Sequence, residues 1–246
     1  MKHTKSQALP TIFVEGNVGV GKSTFLNFIK QHMNVHVMYE PNHLWQDVEG
    51  HNLLEQFFLD APRWAYTLQS YILLTRVDQL LHADEQDGGH AVRVVERSIY
   101  SGRYCFAQVA KEIGTMDGLE WCLYKKSWDR EVVRMQQQSQ GLQPQGLQPQ
   151  GFIYLRTPAE ICYKRIMGRG RFEEKPISLD YLKALEKKYD DWFLHKQGVD
   201  EHVLSLPQLI LDNSQDLLTN KDMQEHYLKL VQEFTTKVQT MSVENS

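Results

Sequence analysis

The segment from Thr11 to Met33 places the strongest constraint on the fold of this 246-residue chain. A short apolar run with β-branched residues, Thr11–Glu15, precedes a glycine-rich stretch that leads into a pattern of helical period, Lys22–Met33. That stretch fits G-x-x-x-x-G-K-[ST], a phosphate-binding loop (P-loop) when a strand precedes it and a helix follows. It consists of Gly16, Asn17, Val18, Gly19, Val20, Gly21, Lys22, Ser23 and Thr24. The sequence therefore predicts a nucleotide site at a strand-to-helix turn.

The chemistry of the P-loop assigns tasks to two of its side chains. Its glycines let consecutive backbone N–H groups turn toward phosphate oxygens, and the helix N-terminus adds a positive partial charge. Lys22 is expected to bind the β- and γ-phosphates, and the Ser23 hydroxyl is expected to ligate magnesium. We therefore expect Mg²⁺ as cofactor, bound together with a nucleoside triphosphate. The motif alone does not identify what the nucleotide is used for.

Apolar runs alternate with helical patterns along the rest of the chain, which predicts a parallel sheet covered by helices. The further strand candidates are Val35–Tyr39, Ala91–Val95, Phe152–Leu155 and Leu209–Leu211. The further helix candidates are Arg63–Ala83, Gly102–Ile113, Leu119–Gln136, Pro158–Gly168, Leu179–His195 and Lys221–Thr236. The expected fold class is α/β, a P-loop fold with a five-stranded parallel sheet flanked by helices.

A single domain over residues 1–246 is expected, because 41% apolar side chains in a chain of this length can bury one sizeable core. Residues 136–151 are rich in Gln and contain Gly-Leu-Gln-Pro-Gln twice, starting at 141 and 146. Such a composition offers few large apolar groups to offset its ordering entropy. We expect this segment to be a flexible surface loop that catalysis does not need.

Charge and cysteine content limit the partners and the compartment. A formal charge of −4 gives no overall basic field, so neither a nucleic acid nor a membrane is expected as a partner. Cys105, Cys122 and Cys162 lack the spacing of a metal site and are expected to be reduced, buried thiols in the cytoplasm. No run of 18 apolar residues and no secretory h-region is evident.

Charged residues follow two of the predicted strands, at the sheet edge where ligands gather in parallel α/β folds. Glu40 ends the second apolar run, where a carboxylate could act as general base for an attacking hydroxyl. Glu96 and Arg97 end the third. From there Glu96 could reach the magnesium shell, and Arg97 could stabilise charge on a transferred phosphoryl group. A GTPase is disfavoured, because Asn220-Lys221-Asp222-Met223 has its aspartate one place too early for N-K-x-D.

An arginine cluster follows the fourth predicted strand and the helical pattern after it. Arg165 and Arg169 are four residues apart, so they share a helix face, and like charges at that spacing indicate an anion between them. Arg171 follows within a segment that contains Gly168 and Gly170. A flexible segment of this kind is expected to close over bound phosphates and exclude water, as a kinase lid does.

In this order and spacing the motifs resemble those of the deoxynucleoside kinase family, over most of the chain. The matching motifs are Gly16–Thr24, Glu40-Pro41 with Trp45, Leu68-Gln69-Ser70-Tyr71, Glu96–Ser101 and Arg169–Glu174. The resemblance implies transfer of the ATP γ-phosphoryl group to the 5′-hydroxyl of a deoxynucleoside, by a homodimer joined through helices. It assigns Glu40 as base, Arg97 as its partner at the 5′-hydroxyl, Glu96 to magnesium and Glu174 to the sugar 3′-hydroxyl.

The residues of the expected acceptor pocket suit a nucleobase. Gln69, Ile72 and Arg76 lie at i, i+3 and i+7, so one helix face presents an amide, an aliphatic wall and a guanidinium. The positions of Trp45 and Phe106 match those where the family holds the base between aromatic surfaces.

Two positions depart from the family pattern. Phe58 stands where members commonly carry a tyrosine that contacts the sugar 3′-hydroxyl, so selectivity for that hydroxyl is in doubt. Gly102 replaces the aspartate that accompanies the arginine in deoxycytidine and deoxyguanosine kinases. Arg76 is therefore expected to lack a partner and to border open space, with relaxed base preference.

Two alternatives stay open on the sequence alone. A nucleoside monophosphate kinase, such as a thymidylate kinase, shares the P-loop and the lid, although Glu40 would repel an acceptor phosphate. The second alternative is a nucleotide-binding regulator without turnover. It is disfavoured because the chain keeps every expected catalytic side chain: Lys22, Ser23, Glu40, Glu96 and Arg97.

Overall fold

A computed structural model of the chain describes residues 9–83, 89–140 and 148–244, with the backbone alone for 138–140 and 243–244. The described residues form one five-stranded sheet, in which every neighbouring pair of strands is parallel. The strands are β1 (Thr11–Glu15), β2 (Val35–Met38), β3 (Val92–Glu96), β4 (Pro149–Arg156) and β5 (Gln208–Asp212). Their spatial order is β2-β3-β1-β4-β5. The predicted fold class is confirmed.

Helices connect the strands and cover both faces of the sheet. They are α1 (Lys22–His32), α2 (Asn42–Gln46), α3 (Leu53–Leu59), α4 (Ala61–Leu81), α5 (Ile99–Ser101), α6 (Ala107–Glu112), α7 (Gly118–Gln140), α8 (Ala159–Arg169), α9 (Leu179–Phe193), α10 (Glu201–Leu204) and α11 (Lys221–Glu244). A π-helical turn, Gly102–Phe106, separates α5 from α6, and a 3₁₀ turn, Phe172–Glu174, follows α8. Of the described residues, no helix combines the length and apolar character that a membrane crossing needs.

The core has two parts because β1 is buried on both faces. Phe13 packs with side chains of α4, α7 and α9 on one face. Ile12 and Val14 point to the other face and pack with α1, α8 and α11. Successive side chains of a strand alternate in this way, and burial of both faces explains why parallel strands are continuously apolar in sequence.

The sheet order decides which strand ends meet. β1 lies beside β3, with Val14 opposite Glu96, and β3 lies beside β2. The carboxyl ends of these three strands therefore bring the P-loop, the Glu96–Arg97 pair and Glu40 to one edge.

The Gln-rich segment differs from the predicted loop of residues 136–151. Helix α7 continues to Gln140, and β4 already begins at Pro149. Gln is a good helix former, which accounts for the longer helix. Gly151 lies within β4 against Phe234 of α11, where a Cβ atom would be 3.0 Å from the ring. Only residues 141–147 of the predicted loop remain untested, because they lie outside the described residues.

Two smaller expectations also differ from the structure. The predicted helix Gly102–Ile113 begins with the π-helical turn and is α-helical only from Ala107 to Glu112. Such turns often occur at functional sites. Cys105 and Cys162 are buried as expected, whereas Cys122 is exposed on α7.

Candidate active site

The P-loop joins β1 to α1 in a conformation that requires glycine. Gly16 has φ +146°, and a Cβ atom there would lie 2.6 Å from the carbonyl oxygen of Leu155. Gly19 has φ +77°, and a Cβ atom there would lie 2.7 Å from the carbonyl oxygen of Cys162. Both contacts are closer than any side chain tolerates, so the loop curls tightly against β4 and α8. The helix N-terminus of α1 opens into the resulting concavity.

Polar side chains fasten the P-loop to its neighbours. Asn17 donates from Nδ2 to the carbonyl oxygen of Leu182 at 2.8 Å, and its Oδ1 accepts the N–H of Val18 at 2.8 Å. The carbonyl oxygen of Val20 accepts hydrogen bonds from Asn213 at 2.6 Å and Arg165 at 3.0 Å. The loop is thus held from α9 on one side and from the end of β5 on the other.

Lys22 lies inside the P-loop and is almost fully buried. Its Nζ donates to the carbonyl oxygens of Asn17 at 2.9 Å and Gly16 at 3.3 Å. Burial, followed by the charge of Arg97, lowers its pKa from 10.5 to about 7, against the opposite effects of Glu96 and Glu40. An anionic phosphate in the loop would favour the protonated form.

Ser23 and Glu96 bring oxygen donors together beside the P-loop. The Ser23 hydroxyl lies 3.3 Å from Oε1 of Glu96. Within the described residues, His, Cys, Asp and Glu form no group of three or more that could hold a metal ion. A hydroxyl and one carboxylate nevertheless fit Mg²⁺, which takes few protein ligands and completes its shell with water and substrate phosphates.

Glu40 is held by two arginines at the floor of the cleft. Arg97 donates to Oε2 at 2.7 Å, and Arg76 forms a close ion pair with Oε1. Burial alone would raise the pKa of Glu40, but Arg97, Arg76 and Lys22 hold it well below its usual value. The carboxylate is therefore ionised at neutral pH, with its orientation set by a guanidinium on each oxygen.

Arg97 follows β3 in a left-handed backbone conformation, with φ +59°. Its N–H donates to the carbonyl oxygen of Val14 at 3.0 Å. The guanidinium lies over the ring of Phe106, 4.9 Å from its centre, and reaches the carbonyl oxygen of Gly16 at 3.4 Å. A non-glycine residue with positive φ is uncommon and is often found where function requires it. Here it turns the guanidinium toward Glu40 and the P-loop.

A cleft that is open to solvent joins the P-loop to an apolar chamber between α2, α3 and α4. Its predicted lining residues outside the P-loop are Glu40, Trp45, Phe58, Gln69, Ile72, Arg76, Glu96, Arg97, Phe106, Arg169, Arg171 and Glu174. The Trp45 indole donates to Thr75 at 2.9 Å, which fixes the orientation of its ring. Gln69 is only 4% exposed, and its amide has no hydrogen-bond partner among the residues described. A buried, unpaired amide facing a cleft is suited to a polar ligand.

Sequence reasoning missed several residues of the cleft. These are Asn42, Gln46, Leu54, Phe57, Leu68, Glu173, Ile177 and Tyr181. Gln46 and Leu68 are direct neighbours of predicted residues, so proximity along the chain was a usable signal. No local pattern marks Tyr181, which reaches the cleft only because α9 packs beside the P-loop.

The surroundings of Gly102 differ from the open space predicted beside the base. Gly102 does not line the cleft. A Cβ atom there would lie 3.3 Å from the Tyr124 hydroxyl and 3.5 Å from the Arg76 guanidinium, so protein fills this region. Arg76 was also expected to lack a partner, yet it binds Glu40 and donates to the carbonyl oxygen of Ser98 at 3.1 Å.

The three arginines of the predicted lid have separate partners. Arg169 binds both carboxylate oxygens of Glu174 at 2.7 Å, and Arg171 lies 3.5 Å from the same carboxylate. Arg165 instead donates to backbone carbonyl oxygens of the P-loop and of the segment after β5. Arg165 is not part of the cleft lining, so the anion predicted between Arg165 and Arg169 is not supported by the geometry.

Comparison with known proteins extends these observations. The family model described as deoxynucleoside kinase matches residues 12–236. The chain is 32% identical over 229 residues to the probable deoxycytidine kinase of fowlpox virus, covering 92% of this chain and 88% of that protein. It is 34% identical over 251 residues to deoxycytidine kinase 2 of Gallus gallus, covering 93% and 91%.

A third relative is mitochondrial thymidine kinase 2 of Homo sapiens, 36% identical over 193 residues, which cover 78% of this chain and 68% of that protein. The family match spans the strands, the P-loop, the cleft and the lid together. It also disfavours both alternatives left open by the sequence. The charge argument against a monophosphate kinase is itself weaker than the sequence suggested, because two arginines lie beside Glu40. The chain therefore belongs to the deoxynucleoside kinase family and is a phosphotransferase.

Proposed function

We propose that this chain transfers the γ-phosphoryl group of ATP to the 5′-hydroxyl of a 2′-deoxynucleoside, giving the monophosphate. One observation carries the proposal: the ionised carboxylate of Glu40 lies where the P-loop meets an apolar chamber that contains an unpaired amide. The P-loop is suited to the triphosphate, the chamber to a nucleobase, and the carboxylate to a hydroxyl between them.

In the proposed reaction Glu40 accepts the hydrogen bond of the 5′-hydroxyl and takes its proton. The electron pair of the 5′-oxygen forms the bond to the γ-phosphorus, and the bond from phosphorus to the β-bridging oxygen breaks, so that ADP leaves. Bond breaking leads in a loose transition state, and the proton can therefore pass late to a carboxylate of low pKa. Arg97 orients Glu40 and stabilises charge on the transferred group.

Magnesium is the proposed cofactor, with Ser23 and Glu96 as the residues that would hold it. When bound, it would neutralise charge on the β- and γ-phosphates. Lys22 would bind the same phosphates from within the loop, together with its backbone N–H groups. The Glu96 carboxylate also accepts a hydrogen bond from the Glu40 N–H at 3.5 Å, so the donor and acceptor sites are directly connected.

The acceptor would be recognised mainly by its shape and by a few polar contacts. Trp45 and Phe106 offer aromatic faces to a planar base, Ile72 adds an aliphatic wall, and Gln69 can donate to and accept from the base edge. Glu174 is the proposed partner of the sugar 3′-hydroxyl. Because Arg76 is bound to Glu40, Gln69 is the main polar reader of the base, which supports a relaxed base preference.

Arg169 and Arg171 are proposed to bind donor phosphates when the segment after α8 closes. Both arginines now contact Glu174, and their side chains are 40% and 47% exposed, so they can exchange this partner for phosphate oxygens. Charge-assisted hydrogen bonds to phosphate are at least as strong as those to a carboxylate.

A homodimer formed through helices is also proposed. Large apolar side chains are exposed on α4 and α7, which pack together: Leu74, Leu119, Leu123 and Val133. Leu119 and Leu123 are one turn apart, and Leu119 is 70% exposed.

Light scattering should give twice the chain mass for the wild type and the single-chain mass for the double variant Leu119→Glu, Leu123→Glu. A wild-type monomer at micromolar concentration would contradict this.

A coupled ADP-release assay tests the proposed function. Mg-ATP is supplied with thymidine, deoxycytidine, deoxyadenosine or deoxyguanosine, and with each monophosphate and ribonucleoside in parallel. Turnover is expected with deoxynucleosides and should fall by about 10² or more in Glu40→Gln, with nucleoside affinity retained. Turnover with monophosphates alone would instead support a monophosphate kinase, and tight ATP binding without turnover would support a regulator.

A further inference from the structure

Glu15, the last residue of β1, has a buried carboxylate that the proposed reaction does not use. We infer that Glu15 is a positioning residue: it holds the backbone that sets both arginines bound to Glu40. The inference rests on the proposed roles of Arg97 and Glu40, and it concerns how their geometry is maintained. Glu15 is fully buried and stands directly before Gly16 of the P-loop.

The contacts of Glu15 converge on one residue of the neighbouring strand end. Its Oε1 accepts the Ser98 N–H at 2.8 Å and the Ser98 hydroxyl at 2.6 Å. Its Oε2 accepts the Tyr189 hydroxyl at the longer distance of 3.4 Å. The first two bonds are short and come from the same residue, so Ser98 is fixed through both its backbone and its side chain.

Ser98 follows Arg97, whose backbone is left-handed. On the strand side, the N–H of Arg97 is held by Val14. On the other side, the peptide group between Arg97 and Ser98 is held because the Ser98 N–H donates to Glu15. The uncommon φ of Arg97 is thus bounded by a hydrogen bond at each end, both of them made by β1. Loss of the Glu15 contact would release one end and let Arg97 relax toward ordinary backbone geometry.

Ser98 connects Glu15 to the second arginine as well. The Ser98 carbonyl oxygen accepts from Arg76 at 3.1 Å, and the same guanidinium is paired with Glu40. A shift of Ser98 would therefore move Arg97 along the chain and Arg76 through space. Both oxygens of Glu40 depend on this one residue.

The chemistry of the site explains why an acceptor is needed at position 15. A buried N–H and a buried hydroxyl both require acceptors, and an ionised carboxylate is acceptor-only. Burial raises the pKa of Glu15 above its usual value, although hydrogen bonds from Ser98 and Ser101 and the charge of Arg76 act in the opposite direction. A glutamine could retain Oε1 for both Ser98 contacts and offer its amide to the Tyr189 oxygen, but an alanine could do neither.

The experiment compares Glu15→Ala with Glu15→Gln in the full chain, with kcat expressed per ATP-binding site. In Glu15→Ala, kcat is expected to fall about 10-fold or more, because small misplacements of catalytic groups are costly, while KM for ATP changes little. Glu15→Gln should recover most of that loss. Glu131→Gln is the matched control, since Glu131 is a buried carboxylate on α7 outside the cleft, and its kcat should equal that of the wild type.

Amide hydrogen exchange over residues 96–101 provides a readout that does not depend on the reaction. Exchange should be faster in Glu15→Ala than in the wild type and near wild-type in Glu15→Gln. Unchanged exchange and unchanged kcat in Glu15→Ala would overturn the inference, as would an equal loss of kcat in both variants. If Glu15→Ala does not fold, Ser98→Ala replaces it, and wild-type kcat in that variant would overturn the inference too.

The proposed reaction and the positioning role of Glu15 can be rejected independently of each other. If the wild type phosphorylates no deoxynucleoside, the proposed function is wrong, and the exchange measurement still decides the role of Glu15.

Discussion

Arg76 is paired with Glu40 at the floor of the cleft, and it does not stand free beside the base. Its guanidinium lies 5.6 Å from the centre of the Trp45 ring, so the arginine forms part of the chamber wall while its charge faces the carboxylate. The residue predicted from sequence to read the base therefore has its hydrogen-bonding groups directed at the expected catalytic base.

Replacing Arg76 with methionine should change the pH dependence of kcat. Arg76 is one of the cations that hold the pKa of Glu40 below its usual value, so its removal raises that pKa. The acid limb of kcat, where protonation of Glu40 stops the reaction, should move to higher pH by about one unit. At neutral pH, where Glu40 stays ionised, loss of the guanidinium that orients Oε1 should lower kcat by the same factor with every accepted deoxynucleoside.

The matched control is Arg63→Met, because Arg63 lies on the same helix, outside the cleft lining, and stacks on Trp64. Its pH profile should equal that of the wild type. If Arg76→Met changed the base preference without moving the acid limb of kcat, the result would show that Arg76 contacts the base and does not set the pKa of Glu40.

Binding of Mg-ATP should be accompanied by proton uptake at Lys22. With a pKa of about 7 in the free protein, Lys22 is largely neutral at pH 8. Phosphate raises the pKa of a bound ammonium, so protons are taken up from solution. Isothermal titration calorimetry in buffers of different ionisation enthalpy measures this uptake. Lys22→Arg should bind without it, since a guanidinium stays protonated.

Phe58→Tyr should strengthen sugar binding. Phe58 lines the cleft and packs on Phe57, with 5.0 Å between ring centres, and it offers no hydroxyl. A hydrogen bond to the 3′-hydroxyl is worth roughly 0.5–1.5 kcal/mol, which corresponds to a lower KM for deoxynucleosides by roughly 2- to 10-fold. A 2′,3′-dideoxynucleoside is the control, and an equal gain with that substrate would show that the new hydroxyl acts elsewhere.

Arg165→Met should weaken ATP binding selectively. Arg165 donates to Val20 in the P-loop and to Asn213, Ser214 and Gln215 after β5, at 3.0 to 3.2 Å. It therefore joins two segments on the donor side of the site. Loss of these charge-assisted bonds should raise KM for ATP about 10-fold, with KM for the nucleoside unchanged.

Arg134→Met is the control for that variant, since Arg134 lies outside the cleft lining, on α7, with a half-exposed side chain that pairs with Glu131 and Asp78. Steady-state kinetics with each substrate varied in turn separates the two KM values. An equal rise in both would indicate general loosening of the fold.

The sequence alone was sufficient for the fold class, the P-loop and most of the cleft. Short-range patterns carry this information: glycine spacing specifies the turn before Lys22, apolar runs specify buried strands, and the order of parallel strands brings Glu40 and Glu96 to one edge. The site residues predicted from the motifs line one cavity in the structure, except for Gly16, Asn17, Val20, Gly102 and Arg165.

Tertiary structure alone decided how the charges pair. These pairings depend on distances between elements that are far apart in sequence. Arg76 pairs with Glu40 and not with a base, Gly102 faces Tyr124, and Arg165 binds backbone carbonyl oxygens. Hydrogen bonds and salt bridges need their atoms within about 3–4 Å of each other, and no periodicity in the chain encodes a contact of that range between separate elements. For the same reason Glu15 resembled any strand residue until the fold placed Ser98 against its carboxylate.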